Sequence, residues 1–196
     1  MAPRRRAEYL AGRALLRHAL AAYTGRAASS FRLPVSPSGK PGCDGGPGVS
    51  VSHSGDVLVC AIAEAAVGVD VETAPPRDID GIAERYFTAA EAAWIAAEPA
   101  ARFCQLWVLK EAYLKATGHG LAGGLDTLEC LIEPPRITAR LAAATAPPAL
   151  ALLRGPGFFA GIAMLGVPGA IEPVLHAFAA RERGHAAGPL ELLATT

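Results

Sequence analysis

Trp107-Val108-Leu109-Lys110-Glu111-Ala112-Tyr113-Leu114-Lys115 is the stretch from which the rest of the chain can be read. Trp107, Glu111 and Lys115 recur every fourth residue, so on a helix they form one stripe. Upstream lies Gly68-Val69-Asp70-Val71-Glu72, a β-branched run carrying two carboxylates. On a strand, Asp70 and Glu72 point to one face while Val69 and Val71 point to the other. If that helix packs on that strand, three carboxylates converge. Two carboxylates ~4 Å apart repel by roughly 4 kcal/mol at an effective dielectric of about 20, so such a cluster attracts a cation. An all-oxygen donor set, with no His or Cys, favours Mg²⁺ or Mn²⁺ over Zn²⁺. Read separately, Glu111 and Lys115 also fit an exposed i,i+4 pair, and Asp70 and Glu72 the polar face of an edge strand.

Lysine usage points to the same region. Of 18 basic residues, 15 are Arg and three are Lys: Lys40, Lys110 and Lys115. An Arg-biased chain keeps Lys where a compact ammonium does what a guanidinium does poorly, contacting phosphate as a point charge or exchanging a proton.

At 196 residues the chain forms one domain or two small lobes with a real core. Its net charge is zero, so no basic field argues for nucleic acid. Cys43, Cys60, Cys104 and Cys130 lack CxxC spacing; Cys60 and Cys104 lie in apolar runs, read as buried thiols of a reducing compartment. Arg4-Arg5-Arg6 imitates a signal sequence, but Glu8, Arg13 and Arg17 interrupt the apolar segment that would have to follow. No apolar run reaches membrane-span length, and the expectation is a cytoplasmic protein.

The pattern along the chain alternates helix and strands twice. A helix is expected over Arg5–Tyr23, then a Pro/Gly/Ser loop from Pro34 to Gly48, then strands Val49–Ser52, Val57–Ala63 and Val67–Glu72. A linker at 73–77 separates these from a short helix, Ile79–Tyr86. Thr88 with Glu91 forms a capping box for a helix carrying Trp94. The motif helix, from about Arg102 to Thr117, closes at Gly118. Strands follow at Leu125–Ile132, Ile137–Leu141, Ala149–Leu153 and Phe158–Leu165. This is an α+β chain of two pseudo-duplicated lobes, 1–72 and 78–180, each a helix packed on a small, mostly antiparallel sheet. The site lies between the lobes, and residues 181–196 read as a frayed tail.

GVDVE followed by WxxKEAxxK resembles the surfactin-type 4′-phosphopantetheinyl transferases. The likeness extends, in order, to Gly39-Lys40-Pro41, Ser52-His53-Ser54, Arg85-Tyr86-Phe87-Thr88 and Gly118-His119-Gly120-Leu121, and covers roughly Ala7 to Ala163. The resemblance implies transfer of 4′-phosphopantetheine from coenzyme A to a serine of an acyl, peptidyl or polyketide carrier protein, with release of 3′,5′-ADP. It implies Asp70, Glu72 and Glu111 as ligands of Mg²⁺ (or Mn²⁺), and Glu111 and Lys115 as catalytic. It places Lys40, Ser52, His53, Lys110 and Lys115 toward the cofactor. The WxxKEA form resembles the broad-specificity branch. Trp107 reads as core, the roles of His119, Arg13 and Arg17 stay open, and the rival function is a non-catalytic CoA- or carrier-binding protein.

The resemblance implies a strand before the first helix, whereas the sequence as given opens on that helix, whether naturally or by truncation, and Ser50 stands where the family often has Asn. The segment Ala170–Phe178 is therefore expected to shield the first lobe's sheet edge through Val174 and Phe178, leaving a monomer.

Overall fold

The computed structural model describes residues 3–120, 124–143, 146–176 and 191–196. Helix α1 (Pro3–Thr24) buries Leu16 and Leu20 against the antiparallel hairpin of β1 (Gly48–Ser54) and β2 (Val57–Ala63). Phe31, Leu33 and Val49 complete that small core. Fully burying one such side chain is worth about 1.5–3 kcal/mol, so this cluster suffices to hold the helix on its hairpin.

The second lobe is built on a six-stranded sheet in the order β3-β7-β6-β8-β5-β4. Its strands are β3 (Val67–Glu72), β4 (Leu128–Glu133), β5 (Arg136–Leu141), β6 (Ala149–Gly155), β7 (Phe158–Met164) and β8 (Glu191–Thr195). Pairing is antiparallel except between β5 and β8. Helices α2 (Ile79–Tyr86), α3 (Ala89–Ala97) and α4 (Pro99–Thr117) join β3 to β4. Asp78 caps α2, and Thr88 with Glu91 forms the expected capping box on α3. Pro99 sits in the first turn of α4, so this helix starts three residues earlier than its periodicity alone indicates. Gly118, at φ 78°, closes it in the left-handed conformation that only glycine adopts without cost.

The sheet is covered on both faces. Leu150, Leu152 and Ala163 pack with Leu106, Val108, Leu109 and Ala112 of α4 in the main core. Val57 and Val59 of β2 meet Val71, Leu153 and Ala160 in a separate cluster.

The expected α+β, two-lobe architecture is the observed one, with three corrections. Val67–Glu72, assigned to the first lobe by its place before the linker, hydrogen-bonds to β7 and belongs to the larger sheet. Glu191–Thr195, expected to fray, forms β8, which runs between β5 and β6 and buries Ala194. Residues 181–190 of the expected tail lie outside the described residues. Of the segment expected to shield the first lobe, Ile171 is anchored on the second lobe instead. Ile171 packs on Ala149 and Ala151 of β6, held there because Thr195 Oγ1 accepts from the Ile171 amide at 3.2 Å. Val174 is 82% exposed, and Phe178 falls outside the described residues.

Candidate functional site

Helix α4 lies against β3 and β7 more closely than side chains normally permit. A Cβ at Gly68 would overlap Ala112 O and Ala116 N, and one at Gly161 would overlap the Val108 carbonyl. Two glycines thus let the helix backbone settle on the sheet. The strand alternation then turns Asp70 toward α4, beside Lys115.

Lys115 Nζ lies 2.6 Å from Asp70 Oδ1 and donates to Ser52 Oγ at 2.7 Å; Ser52 in turn donates to the same Asp70 oxygen at 2.7 Å. Asp70 is 4% exposed, and its Oδ2 is buried without a hydrogen-bond partner. Ser54 Oγ donates to Glu72 Oε2 at 2.9 Å. Burial raises the pKa of Glu72 from the usual carboxylate value, opposed by the Ser54 bond and reinforced by the Asp70 charge. Burial likewise raises Glu111, with Asp70 and Glu72 adding to the shift and Lys115 opposing it. The charges of Asp70, Glu72 and Glu111 thus act on one another. Among the described residues no three His, Cys, Asp or Glu side chains stand in metal-holding geometry. Lys115 neutralises Asp70 in this arrangement. The chemistry of the donor set nevertheless fits a hard divalent cation: oxygen ligands, mutually repelling, one with a buried oxygen that nothing satisfies.

The lobes meet here through hydroxyls. Ser50, Ser52 and Ser54 alternate along β1, and all three reach β3 or the residue after it. Val69 N donates to Ser50 Oγ at 3.0 Å, and Thr73 N donates to Ser54 Oγ at 3.1 Å. The part Ser54 and Thr73 play in joining the lobes is not evident from the sequence, although the period-two serine pattern is its signal.

Strand alternation also separates Ser52 from His53. Ser52 is buried in the Asp70 network, whereas His53 points outward with its side chain half exposed, Nε2 3.9 Å from Glu8 Oε2 of α1. Lys40 reaches across from the loop before β1 and donates to Ala116 O, near the end of α4, at 3.0 Å. Burial lowers its pKa. It lines a cavity of about 480 Å³ together with Pro34, Ser36, Gly48, Val67 and Gly118.

Lys110 requires a correction. It is fully buried, 2.9 Å from Glu91, and donates to the carbonyls of Leu125 and Leu128. One position from Glu111 is a rotation of about 100° around a helix, which carries Lys110 to the core side and away from any cofactor. Lysine is retained there because its three protons meet three acceptors. Trp107 stacks on Phe103 at 5.4 Å and packs on the main core, as expected. Arg17 donates to Ala28 O and Phe31 O, tying the loop after α1 to the helix. Arg13 Nη1 is buried and has no hydrogen-bond partner. His119 is exposed just beyond α4. The thiols of Cys60 and Cys104 are pushed up to about 11 and Cys130 to about 12 by burial, so none is a ready nucleophile.

Comparison with known proteins agrees with this geometry. Residues 1–63 match the family model of the 4′-phosphopantetheinyl transferase N-terminal domain, and residues 66–153 that of the 4′-phosphopantetheinyl transferase superfamily. The boundary falls just before β3, where the larger sheet begins. The chain is 31% identical over 175 residues to the 4′-phosphopantetheinyl transferase HetI of Nostoc sp., covering 84% of this chain and 73% of that protein. It is 42% identical over 103 residues to psf-1 of Bacillus pumilus, covering 50% of this chain and 44% of that protein. With Sfp of Bacillus subtilis it shares 34% over 82 residues, 40% of this chain and 36% of that protein. These matches span less than half of the two Bacillus proteins and nearly three quarters of the Nostoc one. The chain belongs to the 4′-phosphopantetheinyl transferase family.

Proposed function

We propose that the chain transfers 4′-phosphopantetheine from coenzyme A to a serine of an acyl, peptidyl or polyketide carrier protein in a Mg²⁺-dependent reaction, for which Mn²⁺ would substitute. The observation that carries this reading is the Asp70–Ser52–Lys115 network where β1, β3 and α4 meet, with Glu72 and Glu111 near enough for their charges to act on Asp70. In the reaction the serine Oγ forms a bond to the β-phosphorus of CoA, the bond to the leaving 3′,5′-ADP breaks, and the serine proton passes to Glu111. A carboxylate whose pKa is raised by burial accepts that proton more readily than an exposed one. Asp70, Glu72 and Glu111 would hold the cation, which when bound neutralises charge on the pyrophosphate. Lys115, freed from Asp70, follows the charge that grows on the leaving phosphate. Lys40 borders the cavity and supplies a second ammonium for CoA. His53 and the Arg13 guanidinium, with its unsatisfied Nη1, are further donors for phosphate oxygens.

The WxxKEA sequence supports broad carrier specificity. Four free cysteines fit a reducing cytoplasm, and among the described residues no helix is long and apolar enough to cross a membrane.

The test uses CoA carrying a fluorophore on its thiol. Incubated with the chain, Mg²⁺ and an apo carrier protein, the label should appear on the carrier, stop with EDTA and return with added Mg²⁺. CoA binding without labelling, under all metal conditions, would favour a non-catalytic binder instead.

A further inference from the structure

Asp70 is fixed from two sides, by Ser52 and Lys115. Glu72 is longer, half-buried and sits at the end of β3, and Ser54 Oγ is its hydrogen-bond partner at 2.9 Å. The same Ser54 oxygen lies 3.0 Å from Thr73 Oγ1 and accepts from the Thr73 amide at 3.1 Å. A hydroxyl carries one proton. Ser54 commits that proton to the carboxylate, so in its contact with Thr73 it must accept. The result is a directed chain from Thr73 Oγ1–H to Ser54 Oγ–H to Glu72 Oε2, pinned at its middle by a backbone amide.

The surrounding backbone is shaped to admit this chain. Gly55 follows Ser54 at φ 57°, and a Cβ there would stand 3.2 Å from Thr73 Oγ1. The hydroxyl chain also crosses between lobes, with Ser54 on the first-lobe hairpin and Glu72 and Thr73 on the second-lobe strand. It therefore sets the direction of one carboxylate relative to Asp70, which the α4 contacts hold independently.

We propose that Ser54 and Thr73 are positioning residues that orient the Glu72 carboxylate for the divalent cation. The proposal rests on the reading of Glu72 as a cation ligand. Hydrogen-bond partners of metal-binding carboxylates commonly govern affinity as strongly as some ligands do. A role confined to joining the lobes would show only in stability.

Mn²⁺ titrated into the full chain with CoA present, followed by the EPR signal of free Mn²⁺, separates these roles. Ser54→Ala should weaken Mn²⁺ binding by about tenfold or more. Ser54→Thr keeps the hydroxyl and should bind close to wild type. Thr73→Val keeps the amide pin but loses the distal donor, so its loss should be smaller than that of Ser54→Ala yet measurable. In a Glu72→Ala background, adding Ser54→Ala should change Mn²⁺ affinity no further. If Glu72→Ala weakens Mn²⁺ but Ser54→Ala binds as wild type, the positioning role is overturned and the ligand assignment stands. If Glu72→Ala itself binds Mn²⁺ as wild type, the ligand assignment falls and the positioning role with it. Should Ser54→Ala not fold, Thr73→Val decides: unchanged affinity there overturns the proposal.

Discussion

Lys110 and Lys115 are five positions apart on α4, a rotation of about 140° that sends one ammonium into the core and the other toward Asp70. Lys110 is saturated by Glu91 and two carbonyls, so Lys110→Met would strand a buried carboxylate and should cost about 3–5 kcal/mol of stability in urea melts. Where that variant folds, its KM for CoA should match wild type; a raised KM would return Lys110 to the cofactor site. Lys115→Arg keeps the charge but not the shape of the ammonium that fits between Ser52 and Asp70, so kcat should fall more than CoA affinity. Glu111→Gln removes a proposed ligand and base together, and a kcat loss on the order of a thousandfold is expected. At this scale the sequence is legible where one stripe decides. Glu111 and Lys115 follow from four-residue spacing, whereas Lys110 was misread because membership of a motif says nothing about which helix face a residue occupies.

Among the elements, the closeness of α4 to β3 decides the site. Gly68→Ala or Gly161→Ala would push a Cβ into the α4 backbone, which cannot rotate away as a side chain can. Each should destabilise the protein by about 1–3 kcal/mol or more and lower activity by moving Lys115 off Asp70. Thermal melts and steady-state rates measured together check this; either glycine variant melting and turning over as wild type would contradict the close-packing account. The strand alternation of Asp70 and Glu72 was readable from five residues. The need for glycine at 68 and 161 was not, because it depends on which strands the helix crosses. The serine alternation in β1 was visible as a pattern, but its meaning required knowing that β1 faces β3.

For the whole molecule, the sheet is completed from the far end of the chain. Glu191–Thr195 pairs with β6, and Arg154 Nη2 meets Glu191 Oε2 at 2.5 Å. Deleting residues 191–196 would leave β6 with an unpaired edge and uncover the site filled by Ala194, so aggregation and a lowered Tm are expected in size-exclusion and melting experiments. A truncated chain that stays monodisperse at the wild-type Tm would contradict this. Five residues with two leucines carry too little periodicity to announce a strand whose partners lie so far away in sequence, which is why this part of the fold was not legible.

Stability should also depend on pH through the site. Glu72 and Glu111 have raised pKa values in the folded state, so between the unfolded value and the raised one the folded protein binds more protons. Their contribution to stability therefore falls as pH rises through that window. A cation that binds the deprotonated carboxylates should reverse this, raising Tm more at neutral pH than near about pH 5. Equal Mg²⁺-induced shifts at both pH values would disconnect the cation from these carboxylates.

The proposed transfer depends on this carboxylate and lysine cluster. Intact-mass measurement of an apo carrier protein, incubated with CoA, Mg²⁺ and either wild-type chain or folded Glu111→Gln, tests it most directly. The wild type should add one phosphopantetheine to the carrier, and Glu111→Gln should leave it almost wholly unmodified over the same time. No mass gain with the wild type across acyl, peptidyl and polyketide carriers, or equal conversion by Glu111→Gln, would contradict it.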